Sequence, residues 1–158
     1  MPTDRRFGNY PGEQQIMSNN TLVSVETFVK RFADAWADPN FERLITLVHT
    51  DAELIQPFSR NVIGHKKIDR WLKRTFAIIP DLRGEVISWA YRGDVLFIEL
   101  RLYGTIGRRP VEWISVDRIT LDGDKVRRRH ANFDPTPLIL PLAMSPRTLA
   151  RVLHRELW

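Results

Sequence analysis

Asp117 stands where a strand would otherwise bury only apolar and small groups. Around it runs PVEWISVDRITLDGDKVRRRHANFDPTP, Pro110 to Pro137, apolar and polar residues alternating on both sides of Asp122-Gly123-Asp124. Successive side chains of a strand point to opposite faces. Val111, Trp113, Ser115, Asp117 and Ile119 therefore share one face, and Glu112, Ile114, Val116, Arg118 and Thr120 the other. A carboxyl group buried without a partner has a raised pKa and suits general acid-base work. One beside a cation becomes half of an ion pair.

The same stretch supplies cations. Asp-Gly between alternating apolar runs is a hairpin signal, because glycine accepts positive φ without steric cost. A three-residue loop, Asp122-Gly123-Asp124, sets Leu121 opposite Lys125 and Asp117 opposite Arg129; a two-residue loop brings Arg128 opposite with mismatched faces. The first is preferred, giving an Asp117–Arg129 pair. Three roles stay open for it: a structural ion pair, ligand recognition, and acid-base catalysis by Asp117 with Arg129 beside it. Arg127 and Arg129 fall on one face with Ala131 and Phe133, which suits a carboxylate-bearing ligand. Arg127 by itself reads as a solvated rim residue. Arg128, His130 and Asn132 point the other way.

Other chemistries find no residues. The chain has no cysteine, so disulfides, thiolate zinc sites and thiol catalysis are excluded. The histidines at 49, 65, 130 and 154 show no ligand spacing, so no metal is expected, and no phosphate-cradling glycine loop calls for a cofactor. His49 and His65 flank the cavity-lining segment and read as surface or capping groups. Trp36, Trp71, Trp89, Trp113, Phe58 and Phe76 are candidate cavity walls, although aromatic residues dominate cores in any case.

The elements that must hold these residues follow from periodicity. Val25, Phe28, Val29, Phe32 and Trp36 make one helical face, capped by Ser24 or Thr21 and ended by Pro39. Phe41, Leu44, Ile45 and Val48 give a short second helix. A strand follows at 52–57 and a loop at 59–64. A third helix carries Ile68, Trp71, Leu72 and Phe76 and stops before Pro80. Four antiparallel strands come next, 83–91, 95–103 and the two of the hairpin, with turns at Arg92-Gly93-Asp94 and around Gly104–Gly107. This order predicts an α+β fold with helices on one face of a curved sheet. Leu96, Ile98, Leu100 and Leu102 form the greasy inner face. Phe97, Glu99, Arg101 and Tyr103 form a mixed outer one, suited to another subunit.

At 158 residues and a net charge of +5, the chain suits one domain. Residues 1–20 read as a flexible arm, with Met17 an alternative start, 21–137 as the domain, and 138–158 as a helical extension. In that tail Leu149, Val152, Leu153 and Leu157 line one side, and Arg147, Arg151 and Arg155 recur every fourth residue. Docking on its own domain or on a second copy is preferred there to a membrane. Nucleic acid is not expected, since strand alternation splits Arg127-Arg128-Arg129 across two faces. No apolar run approaches the ~20 residues that span a bilayer, and no secretory leader is recognised. Cytoplasm is the default expectation.

Three segments together carry a family resemblance: FVKRFADAWADPNFERLITLVHTDAELIQP, GHKKIDRWLKRTFAIIPDLR and GRRPVEWISVDRITLDGDKVRRRHANFD. Their order and spacing, from about Val25 to Asp134, resemble the SnoaL-like, polyketide cyclase-related branch of the nuclear transport factor 2-like superfamily. The resemblance implies a cystatin-like cone, a curved antiparallel sheet wrapped over three helices with an apolar cavity at the open end. It also implies a homodimer through the outer sheet face, and small-molecule binding or cyclase- or isomerase-type acid-base activity. The steroid isomerases' general-base position matches Gln56, before Pro57, and their oxyanion-donating tyrosine matches Phe32. Only their second carboxylic acid survives, as Asp117. The epoxide hydrolases' last-strand aspartate falls at Ala131, and Glu99 and Arg101 replace their middle-strand pair. The expected ligand-binding set is thus Phe32, Trp36, Gln56, Phe58, Trp71, Trp113, Ser115, Ala131 and Phe133, around Asp117 and Arg129. A non-catalytic binding or interaction module is the alternative.

Overall fold

In the computed structural model, residues 19–57, 61–148 and 150 are described. Helix α1, Asn19–Ala37, buries Val25, Phe28, Val29, Phe32 and Trp36, the stripe its period dictates. It begins ahead of Thr21 and Ser24, so both expected caps lie inside it. Asn40 opens α2, Phe41–Thr46, and its side-chain oxygen accepts the Glu42 N–H at 2.8 Å. Strand β1 then runs Val48–Ile55, four residues earlier than expected, so Val48 belongs to it and not to α2. Pro57 sits in a turn, and the expected loop holds a two-residue strand, β2, Val62–Ile63. Gly64, at φ 81°, turns the chain into α3, His65–Ile78, with Ile68 and Leu72 buried.

The meander follows: β3 Arg83–Arg92, β4 Val95–Ile106, β5 Arg109–Asp122 and β6 Lys125–Phe133. Helix α4, Thr136–Ala143, begins two residues before the helical extension expected at 138–158, and residues 146–148 and 150 are again helical. The six strands lie in the order β2-β1-β6-β5-β4-β3. All pairs are antiparallel except β1 with β6, which run parallel. The sheet is therefore mixed, where an antiparallel one was expected.

Helices cover the face carrying Leu96, Ile98, Leu100 and Leu102, the first three with no exposed surface. Phe97 and Tyr103 on the other face, with Ile114 and Val116 beside them on β5, are each at least 40% exposed. The sheet thus has the two dissimilar faces its alternation requires.

Gly104 is a strand residue, not part of a turn; the turn lies at Gly107-Arg108, where Gly107 takes φ 65°. Glycine at 104 is required by close approach. A β-carbon there would lie 2.4 Å from Ile79 Cγ2 and 3.2 Å from Leu82 Cα. Ile79 is β-branched and cannot swing away, so overpacking must move backbone. Gly104→Ala is expected to cost about 1–3 kcal/mol of stability in urea unfolding. An unchanged midpoint would show that the α3–β3 connection yields freely.

Candidate functional site

The hairpin that carries the site has a two-residue loop, Gly123-Asp124, with Gly123 at φ 60°. Asp122 pairs with Lys125 and Leu121 with Val126. The register then shifts, so that Thr120 pairs with Arg128, Ile119 with Arg129 and Asp117 with Ala131. Arg127 is the extra residue of a β-bulge. Two expectations change with it. Asp117 faces Ala131, and Arg129 reaches it diagonally from opposite Ile119. Arg127 does not share the inner face with Arg129: Val126 and Arg129 are buried, whereas Arg127 and Arg128 are exposed.

Asp117 and Arg129 meet all the same. Arg129 Nε donates to Asp117 Oδ2 at 2.5 Å, and Ser115 Oγ donates to Oδ1 at 2.7 Å. Ser115 and Asp117 have no exposed surface and Arg129 only 7%. The Arg129 guanidinium carbon stands 5.7 Å from the centre of the Trp36 ring, within cation–π range. Trp36 in turn contacts Phe32, with ring centres 6.2 Å apart. Arg129 makes no hydrogen bond through its terminal nitrogens among the described residues.

A small interior cavity of about 30 Å³ adjoins this group, lined by Phe32, Trp36 and Trp71, by aliphatic residues of α2, β1, α3 and β6, and by Arg129. That is room for one water molecule. Among the described residues Arg129 is the sole charged one in the lining, and Asp117 is not part of it.

The other expected residues disperse. Trp113 is buried against Phe133, ring centres 6.1 Å apart, and its indole N–H is the one buried side-chain donor without a partner among the described residues. Ala131 is buried beside Asp117. Gln56 follows the end of β1, half-buried, and does not line the cavity. Phe58 lies outside the described residues. Trp89, opposite Ile98, is 37% exposed and walls no cavity, and neither does Phe76. Glu99 and Arg101 point to the outer face, where Glu99 accepts from Ser88 and Arg101 pairs with Glu85.

Sequence reading missed two groups. Leu44, Leu47, Val48, Leu54, Ile68, Leu72 and Val126 complete the cavity wall; periodicity marks several as core but cannot say which border a void. At the rim, Asp51 accepts hydrogen bonds from Arg127 Nη1 and His49, and His49 Nε2 lies 3.8 Å from Asp122. The Arg127 hydrogen bond, then that of His49, holds the Asp51 carboxyl at about 2, below the usual carboxylate range. Only the parallel β1–β6 pairing brings Asp51 there. His65 Nε2 contacts the Val48 carbonyl at 3.0 Å, between α3 and β1.

The SnoaL-like domain family matches residues 29–129. The chain belongs to that family. A structure of a hypothetical protein with a ketosteroid isomerase-like fold from Catenulispora acidiphila, in complex with trimethylamine, is 22% identical with a TM-score of 0.65, covering 75% of this chain and 92% of its own. A putative SnoaL-like polyketide cyclase from Jannaschia sp. CCS1 is 19% identical with a TM-score of 0.66, covering 79% and 94%. A putative polyketide cyclase from Bacillus cereus is 17% identical with a TM-score of 0.66, covering 80% and 85%. These likenesses show the fold. A comparison with curated proteins finds no match. This SnoaL-like chain differs from the isomerase pattern at the positions already named: Phe32 and Gln56 lack a hydroxyl and a carboxyl.

Removing one member of a buried pair strands the other charge, whereas replacing both by apolar groups can be neutral. Asp117→Leu and Arg129→Met are each expected to cost about 3–5 kcal/mol, and the double variant much less than their sum. Additive losses in denaturant titration would show that the two groups are not coupled.

Proposed function

We propose that this SnoaL-like protein binds a small apolar molecule bearing a carboxylate or carbonyl oxygen, with Arg129 as the anchor. One observation carries the reading: among the described residues, the only charged group bordering the interior cavity is a guanidinium held through Nε, with its terminal nitrogens uncommitted there. A guanidinium presents a rigid fork that matches a carboxylate. Phe32, Trp36 and Trp71 supply apolar walls for the rest of such a molecule.

Asp117 then acts as a positioning residue. Both of its oxygens already accept hydrogen bonds, and it does not border the cavity. Cyclase- or isomerase-type proton transfer at Asp117 would require Arg129 to move aside first. That chemistry is the less favoured use of the site.

A second reading has its own support. Drug-sized ligands occupy pockets of roughly 300–1,000 Å³, and this cavity is about 30 Å³. On that ground the chain is a non-catalytic interaction module whose ion pair only holds the fold. Melting curves with benzoate, 2-naphthoate and toluene separate the two. Under the first reading the acids stabilise the protein, by about 2.7 kcal/mol at a hundred times the dissociation constant. Toluene has a smaller effect, and Arg129→Lys weakens the acids alone. No shift with either acid decides for the interaction module.

The outer sheet face supports a homodimer in either reading. Phe97, Tyr103, Ile114 and Val116 interleave there with Arg101, Glu99, Glu112 and Arg118 across β4 and β5, an apolar patch of the kind that marks interfaces. Light scattering on the wild type is expected to give twice the chain mass, and Ile114→Lys, at an exposed position, the monomer. A monomeric wild type would remove the dimer.

A further inference from the structure

Helix α4 is apolar on both sides. Leu138 and Leu142 pack on the core, while Ile139, Leu140 and Met144 are 51%, 63% and 52% exposed. With Ala143 these exposed residues form one apolar stripe at helical spacing, which follows Thr136 on the same face. A helix apolar all round is normally a covered one.

The surroundings of this face are basic. Ser145, next after α4, packs so closely on the β4–β5 turn that a β-carbon at Gly107 would lie 2.4 Å from its hydroxyl. That turn carries Arg108 and Arg109, and Arg147 follows Ser145. All three are exposed and have no ion-pair partner among the described residues. Two nearby carboxylates, Asp81 and Asp134, stay ionised and offset part of this charge without pairing with the three arginines. Asp81 accepts from the Thr105 N–H at 2.8 Å and its hydroxyl at 2.7 Å, and Asp134 accepts from the Thr136 N–H at 2.9 Å. From Thr136 to Arg155 the sequence contains no acidic residue, and Arg151 and Arg155 extend the series.

We infer that this end of the molecule docks on an anionic phospholipid surface, α4 entering the interface with Ile139, Leu140 and Met144 while Arg108, Arg109 and Arg147 meet the headgroups. No helix among the described residues is long and apolar enough to cross a membrane, so the contact is peripheral. Exposed aliphatic side chains and adjacent arginines are the two components such binding needs. Charge complementarity selects lipid over a second copy of the chain, whose facing α4 would bring like charges together. The sequence reading favoured docking of the tail on its own domain or on a second copy, before α4 and its neighbours were in view.

Flotation of the full chain with vesicles tests this. The protein is expected to float with vesicles of phosphatidylcholine containing phosphatidylserine, to stay behind with phosphatidylcholine alone, and to be released by salt. Each arginine near such a surface changes partitioning by roughly fivefold, so Arg108→Ala/Arg109→Ala together should weaken it by roughly 25-fold. Leu140→Glu should abolish it without moving the melting temperature, because the side chain is exposed. Binding that ignores Leu140→Glu would be undirected electrostatics and overturns the proposal. So does failure of the wild type to float; if Leu140→Glu then also destabilises the protein, the face belongs to residues 149–158 of the same chain.

Discussion

A carboxylate with no exposed surface needs compensation where it stands, and the inner wall of this molecule is arranged around supplying it. Asp117 has lost its water, and an uncompensated charge there would cost several kcal/mol, on the order of 3–5. Arg129 balances it from the neighbouring strand and Ser115 fills the second oxygen. Once Arg129 is held by Nε, its plane is fixed over Trp36, and Trp36 fixes Phe32 on α1. The sheet and the first helix are thereby joined through one guanidinium. The small cavity borders the same guanidinium, so the group that serves the fold also lines that space.

That pair was legible because it depends on parity, and the register was not. The expected loop was one residue too long, and the bulge at Arg127 was not foreseen. The two errors shift the pairing by an even number of positions, so Asp117 and Arg129 stay on one face. A diagonal neighbour roughly 7–8 Å away lies within reach of an arginine. Arg127 sits inside the bulge, where alternation fails, and there the sequence misled. A bulge has no composition signature in VRRR.

Other misreadings have similar causes. Val48 continues the apolar spacing of Phe41, Leu44 and Ile45, and nothing local says that its backbone has already become extended. The helical extension expected from residue 138 begins instead at Thr136, with Pro137 in its first turn. Proline is tolerated there, where its missing N–H costs nothing, whereas Pro141 lies inside the helix. The cavity wall was half legible: Phe32, Trp36 and Trp71 follow from helical faces. The aliphatic half depends on the parallel seam between β1 and β6, which no short-range pattern encodes.

That seam also bears on how the chain comes together. The β3–β6 meander is built from neighbours in sequence and can form early. Pairing Val48 with Val126 and Leu54 with Arg129 must close across all of it, and such non-local contacts are the slow ones. The half made of α2, β1, β2 and α3 is therefore the last to dock, and the first to part in a partial opening. The interior space lies along that junction. Its size is therefore set by how closely that half docks on the meander.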